Sequence, residues 1–460
     1  MKKSLLCSTA VLSALAMASC SKDDVTNVAP SENNGVSQVI EIAVDNGGDG
    51  LTTRAGRPLF SSEAKQTIEK VTVVVCNATD NKVVAKFDEA NWQGVSESYD
   101  DASGHGRKIR FTFAEGEELG KGNYNVYAFG YHTAKGVISQ YKVGEQDLGA
   151  YLSSLTVESS TLTKDLKITN SETGTTYNAE ELFAGSTTIS VTKDDNDFSV
   201  GMTLHRQVAG IYAYVMNIPY IKGAKYLDLY AVKRNNDLVL GHFYDAVLGA
   251  NGTSVNNQVN VVNGTNESAQ RTLVSRITLT DWFTKIQDVN NDGIIDRYGY
   301  KKSDDGKTLV ENTAEEIWKN PYTSNKVNFV KGSAFAGEFI ITFQKGNSQT
   351  FVLELRNDDS DLRTWNINLP SLDLINNEDL TIWGESDWNT SAASGESQSA
   401  YSVLRNHLYS VGTKSTENPG GGTDPEIPTE PENPEDLSTK QDLLLQVNDN
   451  WELIHKMEID

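Results

Sequence analysis

Short runs of alternating apolar and polar residues recur along the chain, separated by clusters of Asn, Asp, Gly and Ser. In the run 38–45, Ile40, Ile42 and Val44 share one face and Glu41 lies on the other. A period of two predicts a strand, and Asn46-Gly47-Gly48-Asp49-Gly50 closes it as a loop. The same signature predicts strands at 67–76, 82–87, 108–113 and 124–131. After the polar stretch Lys193-Asp194-Asp195-Asn196-Asp197 it continues at 198–204, 210–215, 226–232, 276–279, 338–343, 350–355 and 365–369. Short helices are expected only at 145–155 and 314–319. Many short strands with turn residues between them predict a mainly all-β chain of β-sandwich domains, not a parallel α/β sheet. The polar stretch sets the division into an N-terminal domain, 55–195, and a C-terminal domain, 196–414.

Both ends of the chain depart from this pattern. Lys2 and Lys3 precede an apolar run, Leu5 to Met17, which has the form of a secretory signal peptide over 1–19. Leu15-Ala16-Met17-Ala18-Ser19-Cys20 resembles a bacterial lipobox, with Cys20 as the lipidated residue, although Met17 replaces the usual Leu. Ser21-Lys22-Asp23-Asp24 then looks like the surface-export signal of Bacteroidetes lipoproteins. Residues 20–54 read as a tether carrying the first strand.

At the other end, Pro425, Pro428, Pro431 and Pro434 are spaced by acids, making 415–440 an extended linker. Beyond it Leu443, Leu445, Val447, Trp451, Leu453, Met457 and Ile459 occupy odd positions, while polar residues take most even ones. Such patterning needs one buried face. At about 3.3 Å per residue the run would reach roughly 55 Å, long enough to divide into two strands at Asn448-Asp449-Asn450.

Composition narrows the function. The chain has 460 residues, with 40 Lys and Arg against 63 Asp and Glu, a net charge of −23. Without a basic cluster, so acidic a surface repels nucleic acid and anionic lipid headgroups. Of three cysteines, Cys7 lies in the signal and Cys20 is the lipid site, so Cys76 has no intrachain partner. It sits in the apolar run Val71 to Val75 and reads as a small buried hydrophobe. No enzyme motif is present: neither His-Glu-x-x-His, Gly-x-Ser-x-Gly, a phosphate loop nor Cys-x-x-Cys occurs.

Taken together, several stretches resemble the fimbrillins of Bacteroidetes, the subunits of type V pili. They are the lipoprotein signal ending at Cys20, the strand 38–45 followed by Thr52-Thr53-Arg54-Ala55-Gly56, and Gly122-Asn123-Tyr124-Asn125-Val126-Tyr127-Ala128. Leu204-His205-Arg206-Gln207-Val208-Ala209, Leu404-Arg405-Asn406-His407-Leu408-Tyr409-Ser410-Val411 and the patterned tail complete the set. The resemblance implies two tandem transthyretin-like β-sandwich domains and a C-terminal donor strand over 441–460. It further implies export as an outer-membrane lipoprotein and cleavage by an arginine-specific protease between Arg54 and Ala55. The first strand would then leave, and the tail of another fimbrial subunit would fill its groove. The expected product is a cell-surface fimbria supporting adhesion, not an enzyme. The alternative is a monomeric surface lipoprotein adhesin binding glycan or host protein, with Trp383 and Trp388 as a sugar-stacking pair.

No cofactor is expected apart from a candidate structural calcium. Asp288, Asn290, Asp292 and Asp296, with Gly293 and the Ile294 carbonyl, match the first nine positions of an EF-hand loop. The twelfth position is Gly299 where an acid belongs, and Asp304 or Asp305 is the expected substitute.

Overall fold

A computed structural model of the chain describes residues 37–44, 68–95, 97–98, 107–133, 141–170, 181–193, 197–231, 234–235, 237–239, 267–268, 271–322, 329–341, 351–368, 408–413, 433–439, 442–444 and 446–448. Strands dominate them, as the alternating pattern predicts. The first are β1 (Gln38–Val44), β2 (Lys70–Asn77), β3 (Val83–Glu89), β4 (Glu97–Ser98), β5 (Arg107–Thr112) and β6 (Gly122–Tyr131). Three short strands follow, β7 (Tyr141–Val143), β8 (Gln146–Asp147) and β9 (Lys167–Asn170), then β10 (Leu182–Val191) and β11 (Phe198–Arg206).

The main sheet runs β3-β2-β6-β10-β11-β1-β5-β4. Its middle is a fold line, because β10 and β11 pair only through Phe183 with Arg206 and Ala184 with His205. The two halves close face to face, and opposite ends of the order meet. The Phe87 ring of β3 lies 5.4 Å from Phe111 and 5.1 Å from Phe113. Ile40, Ile42, Val73, Val75, Val126 and Leu204 fill the space between. On the other face of β2 and β6, Val74, Cys76 and Phe129 pack against Leu148 and Leu152 of the helix Leu148–Ser154.

The second half contains β12 (Val208–Met216), β13 (Tyr226–Ala231), β14 (Arg234–Asn235), β15 (Asp237–Val239), β16 (Glu267–Ser268) and β17 (Thr272–Thr278). It continues with β18 (Tyr298–Lys302), β19 (Leu309–Glu316), β20 (Ser333–Ile341), β21 (Phe351–Arg356) and β22 (Asp361–Asn368). The last strands are β23 (Leu408–Val411), β24 (Glu435–Asp436), β25 (Asp442–Leu444) and β26 (Gln446–Asn448). One sheet has the order β20-β12-β23-β26 with β24 also on β12; the other is β17-β13-β21-β22-β25. Ile211, Tyr409, Leu353 and Trp365 belong to the core they share. β15 crosses back to β9, in the order β15-β9-β7-β8. β14 pairs with β16, and β18 with β19 forms a separate hairpin.

Three expectations need correction. The domain division falls at Gln207, not at 195/196, because β11 pairs with β1 and β10 while β12 opens the next sheet. The polar run 193–197 lies only at the turn between β10 and β11. The helix expected at 314–319 is instead the end of β19: Leu309–Glu316 pairs with β18, and cross-strand bonding outweighs the helix preference of its glutamates. Finally, the linker expected over 415–440 ends early. Asn433 bridges Thr413, β24 lies parallel to β12, and Leu437 is fully buried.

Candidate functional site

β1 occupies the middle of a half-sandwich. It runs parallel to β11, from Gln38 opposite Phe198 to Val44 opposite Leu204, and antiparallel to β5, from Val39 opposite Thr112 to Val44 opposite Arg107. Ile40 and Ile42 point inward and are fully buried. Glu41 points outward, where Arg110 Nε lies 2.6 Å and Lys108 Nζ 3.7 Å from its carboxylate. Gln38 anchors the strand's start: its side-chain amide donates to the Leu119 carbonyl (3.0 Å), and its side-chain oxygen accepts from the Leu119 amide (2.6 Å). The slot holding β1 is therefore an apolar trench with a basic outer rim and two unlike backbone edges, one parallel and one antiparallel.

The tail begins within its own C-terminal domain. β25 extends β22 in parallel, with Leu443 opposite Ile367, and Leu443 is buried. β26 pairs antiparallel with β23, placing Val447 opposite Tyr409. In this arrangement Leu443 completes its own domain, and within the donor segment expected over 441–460 the strands 442–444 and 446–448 are paired at home. Cys20, Arg54, Ala55, Leu445, Trp451, Leu453, Met457 and Ile459 lie outside the described residues, as do Trp383 and Trp388.

Two of the three internal stretches of the resemblance, 204–209 and 404–411, contribute buried contacts where they are described. Arg206 and Glu181 form a buried pair with Nε 2.9 Å from Oε1, and Gln207 donates to the Ala184 carbonyl at the fold line. Tyr409 is buried in β23. Just beyond it, Gly412 has φ +75°, and a Cβ there would lie 2.2 Å from the Tyr214 carbonyl oxygen.

The loop 288–296 is tightly wound. Both Asp288 carboxylate oxygens accept backbone amides, from Asp292 (3.1 Å) and Gly293 (3.0 Å). Asp292 accepts from the Ile294 amide at 2.9 Å. Asp296 is buried, and its Oδ2 accepts from the Val289 amide at 2.9 Å. Burial foremost raises the Asp296 carboxyl above its ordinary range; the Asp288 and Asp292 charges add to this, while the Val289 amide and Tyr300 oppose it. Burial, reinforced by Asp296, Glu311 and Asp292, pushes the Tyr300 hydroxyl up to about 12. Neither acid expected to close the loop does so: Asp304 and Asp305 lie at the tip of the β18–β19 hairpin, where Asp305 accepts from the Lys307 amide. At Gly299 a Cβ would come 2.5 Å from the Glu315 carboxyl. Among the described residues no group of three His, Cys, Asp or Glu side chains is already placed to hold a metal ion.

Sequence reading missed Gln38, Lys108, Arg110 and Glu311. Single polar residues at strand ends and on outer faces have no periodic signature, so only the pairing of distant strands reveals them.

No family model and no curated protein matches the chain. Solved structures do. A candidate adhesin from Bacteroides thetaiotaomicron is 11% identical, with a TM-score of 0.38, over 91% of this chain and 98% of its own. The fimbrial anchor protein Mfa2 from Porphyromonas gingivalis is 8% identical, with a TM-score of 0.34, over 82% and 89%. The tip fimbrial protein Mfa3 from the same organism is 9% identical, with a TM-score of 0.35, over 82% and 94%. At this level of overlap, what the chain does must be argued from its own geometry.

Proposed function

We propose that this chain is a subunit of a cell-surface fimbria, polymerised when a protease releases β1 and the C-terminal segment of a neighbouring subunit replaces it. The observation carrying this reading is the placement of β1 in mid-sheet. It is joined to β2 only through 45–69, which contains Thr52-Thr53-Arg54-Ala55. A cut after Arg54 leaves β1 held by non-covalent contacts alone. Its two buried isoleucines contribute roughly 3–6 kcal/mol, a hold that can be exchanged. The vacated slot would expose two backbone edges and an open core. An added strand satisfies both, and repetition of such a head-to-tail contact builds a filament. The same cut separates the chain from the lipid on Cys20, so the outer membrane holds the precursor and not the polymer.

The tail carries the pattern the slot requires. In β1, Ile40-Glu41-Ile42 presents apolar, acidic, apolar residues, with Glu41 on the rim of Lys108 and Arg110. Trp451-Glu452-Leu453 and Met457-Glu458-Ile459 repeat that triplet twice. Because 442–448 pairs at home, the donor is 449–460, about 40 Å if extended, against about 23 Å for the seven residues of β1.

Treating the purified chain with an arginine-specific protease should give ladders on an unboiled gel. Arg54→Ala should give none. Ladders that persist with Arg54→Ala would refute this processing route. A second reading, a monomeric surface adhesin, is favoured by the home pairing of 442–448. It predicts a cleaved chain that stays monomeric.

A further inference from the structure

We infer that the loop 288–296 and the β18–β19 hairpin together form a calcium site, in which Glu311 supplies the carboxylate missing from the loop's twelfth position. Asp296 is the buried acid of this loop. This side chain is 4% exposed; its Oδ2 accepts the Val289 amide, while its Oδ1 has no partner at normal hydrogen-bond geometry, and the Tyr300 hydroxyl is its polar neighbour. A buried carboxylate oxygen without a partner is destabilising, and a cation relieves it directly.

Asp296 lines a cavity of about 470 Å³ together with Asn290, Asp292, Ile294, Tyr300 and Glu311. The donors are all oxygen, as a hard cation needs, and calcium takes six to eight of them at about 2.3–2.6 Å. Of the loop's donors, Asn290, Asp292, Ile294 and Asp296 line this cavity, while both Asp288 oxygens accept backbone amides and brace the loop. Glu311 reaches the same cavity from β19, where it pairs across the hairpin with Tyr300.

The carboxylates do not yet surround a common point. Asp296 is buried, whereas Asp292 and Glu311 are exposed, and calcium binding requires both to turn inward. Two cations line the same cavity: Arg297, whose Nε is 4.0 Å from Glu311, and Lys331, which is held by Glu316 at 3.1 Å. Calcium would have to displace Arg297 from Glu311. Binding would clamp the hairpin onto the loop and order a projection whose Leu309 and Val310 face solvent. This inference is independent of the strand-exchange reading.

The test uses the full secreted chain, stripped of metal, with terbium as probe. Tyr300 should sensitise terbium luminescence, and calcium but not equimolar magnesium should quench it by displacement. Glu311→Gln should weaken calcium binding at least tenfold while leaving the circular dichroism spectrum unchanged. Tyr300→Phe should lose most of the sensitised emission yet keep the calcium-dependent rise in melting temperature. Two results would overturn the inference: no calcium-displaceable emission together with identical melting in millimolar calcium and in chelator, or calcium affinity unchanged by Glu311→Gln.

Discussion

Ile42→Ala tests whether the N-terminal sandwich gives up β1 in the proposed strand exchange. Ile42 is fully buried between the half-sheets, with Met202 of β11 and Ile109 of β5 as its register partners. Truncating a buried Ile to Ala costs about 2–5 kcal/mol through lost transfer energy and the residual cavity. In the uncleaved precursor that loss belongs to the whole domain, and the melting temperature should fall. On the proposed strand exchange, β1 would leave a folded acceptor after a cut at Arg54, and the loss would instead weaken its retention. If about 3 kcal/mol appears in the dissociation step, at 1.4 kcal/mol per tenfold, β1 should leave about 10²-fold faster. The assay adds arginine-specific protease and follows ladder formation by unboiled gel at fixed protein concentration. Where β1 release limits the rate, the variant should polymerise faster. The finished polymer should then resist heat and denaturant as the parent does, because it no longer contains residue 42. A polymer weakened by the same several kcal/mol would mean that β1 stays in place, and strand exchange at this slot would be refuted.

The remaining expectations concern the tail, the rim and the buried thiol. Deleting 449–460 should leave the melting temperature unchanged and abolish ladders, whereas deleting 441–460 should also destabilise the chain by about 2–5 kcal/mol by removing buried Leu443; calorimetry and gels read both, and ladders from the shorter deletion would refute donation by that segment. Glu452→Arg with Glu458→Arg should slow exchange into the rim of Lys108 and Arg110, and Lys108→Glu with Arg110→Glu in the acceptor should restore it; the partly exposed pairs are each worth about 0–1 kcal/mol, so the change should appear in the rate and its salt dependence. Burial pushes the Cys76 thiol up to about 12, so at pH 8 its thiolate fraction is on the order of 10⁻⁴. Iodoacetamide should label it only on unfolding, with any native labelling rising about tenfold per pH unit; rapid labelling of the folded chain at pH 8 would contradict that burial.

How much of this was legible in the sequence depends on how local each feature is. Ile40, Ile42 and Val44 reveal a strand because their period is written in adjacent residues. Nothing adjacent says that this strand lies parallel to β11, nearly 160 residues away, and that partnership is what moves the domain division to Gln207. Glu311 was invisible for the same reason, since its nearness to Asp296 comes from the β18–β19 hairpin and not from loop spacing. The tail sharpens the point. Leu443, Val447, Trp451, Leu453 and Ile459 obey one alternation, and periodicity measures only the need for a buried face. Which face is supplied depends on available strand edges: β22 and β23 offer them to 442–448 within the same domain. On the proposed strand exchange, a home anchor of that kind would make the donor shorter than the pattern suggests, but it would also fix where the donor starts. Under that reading residues 449–460 would depart from a defined sheet edge, which would hold their local concentration near one place on the subunit surface and would set the spacing between successive subunits.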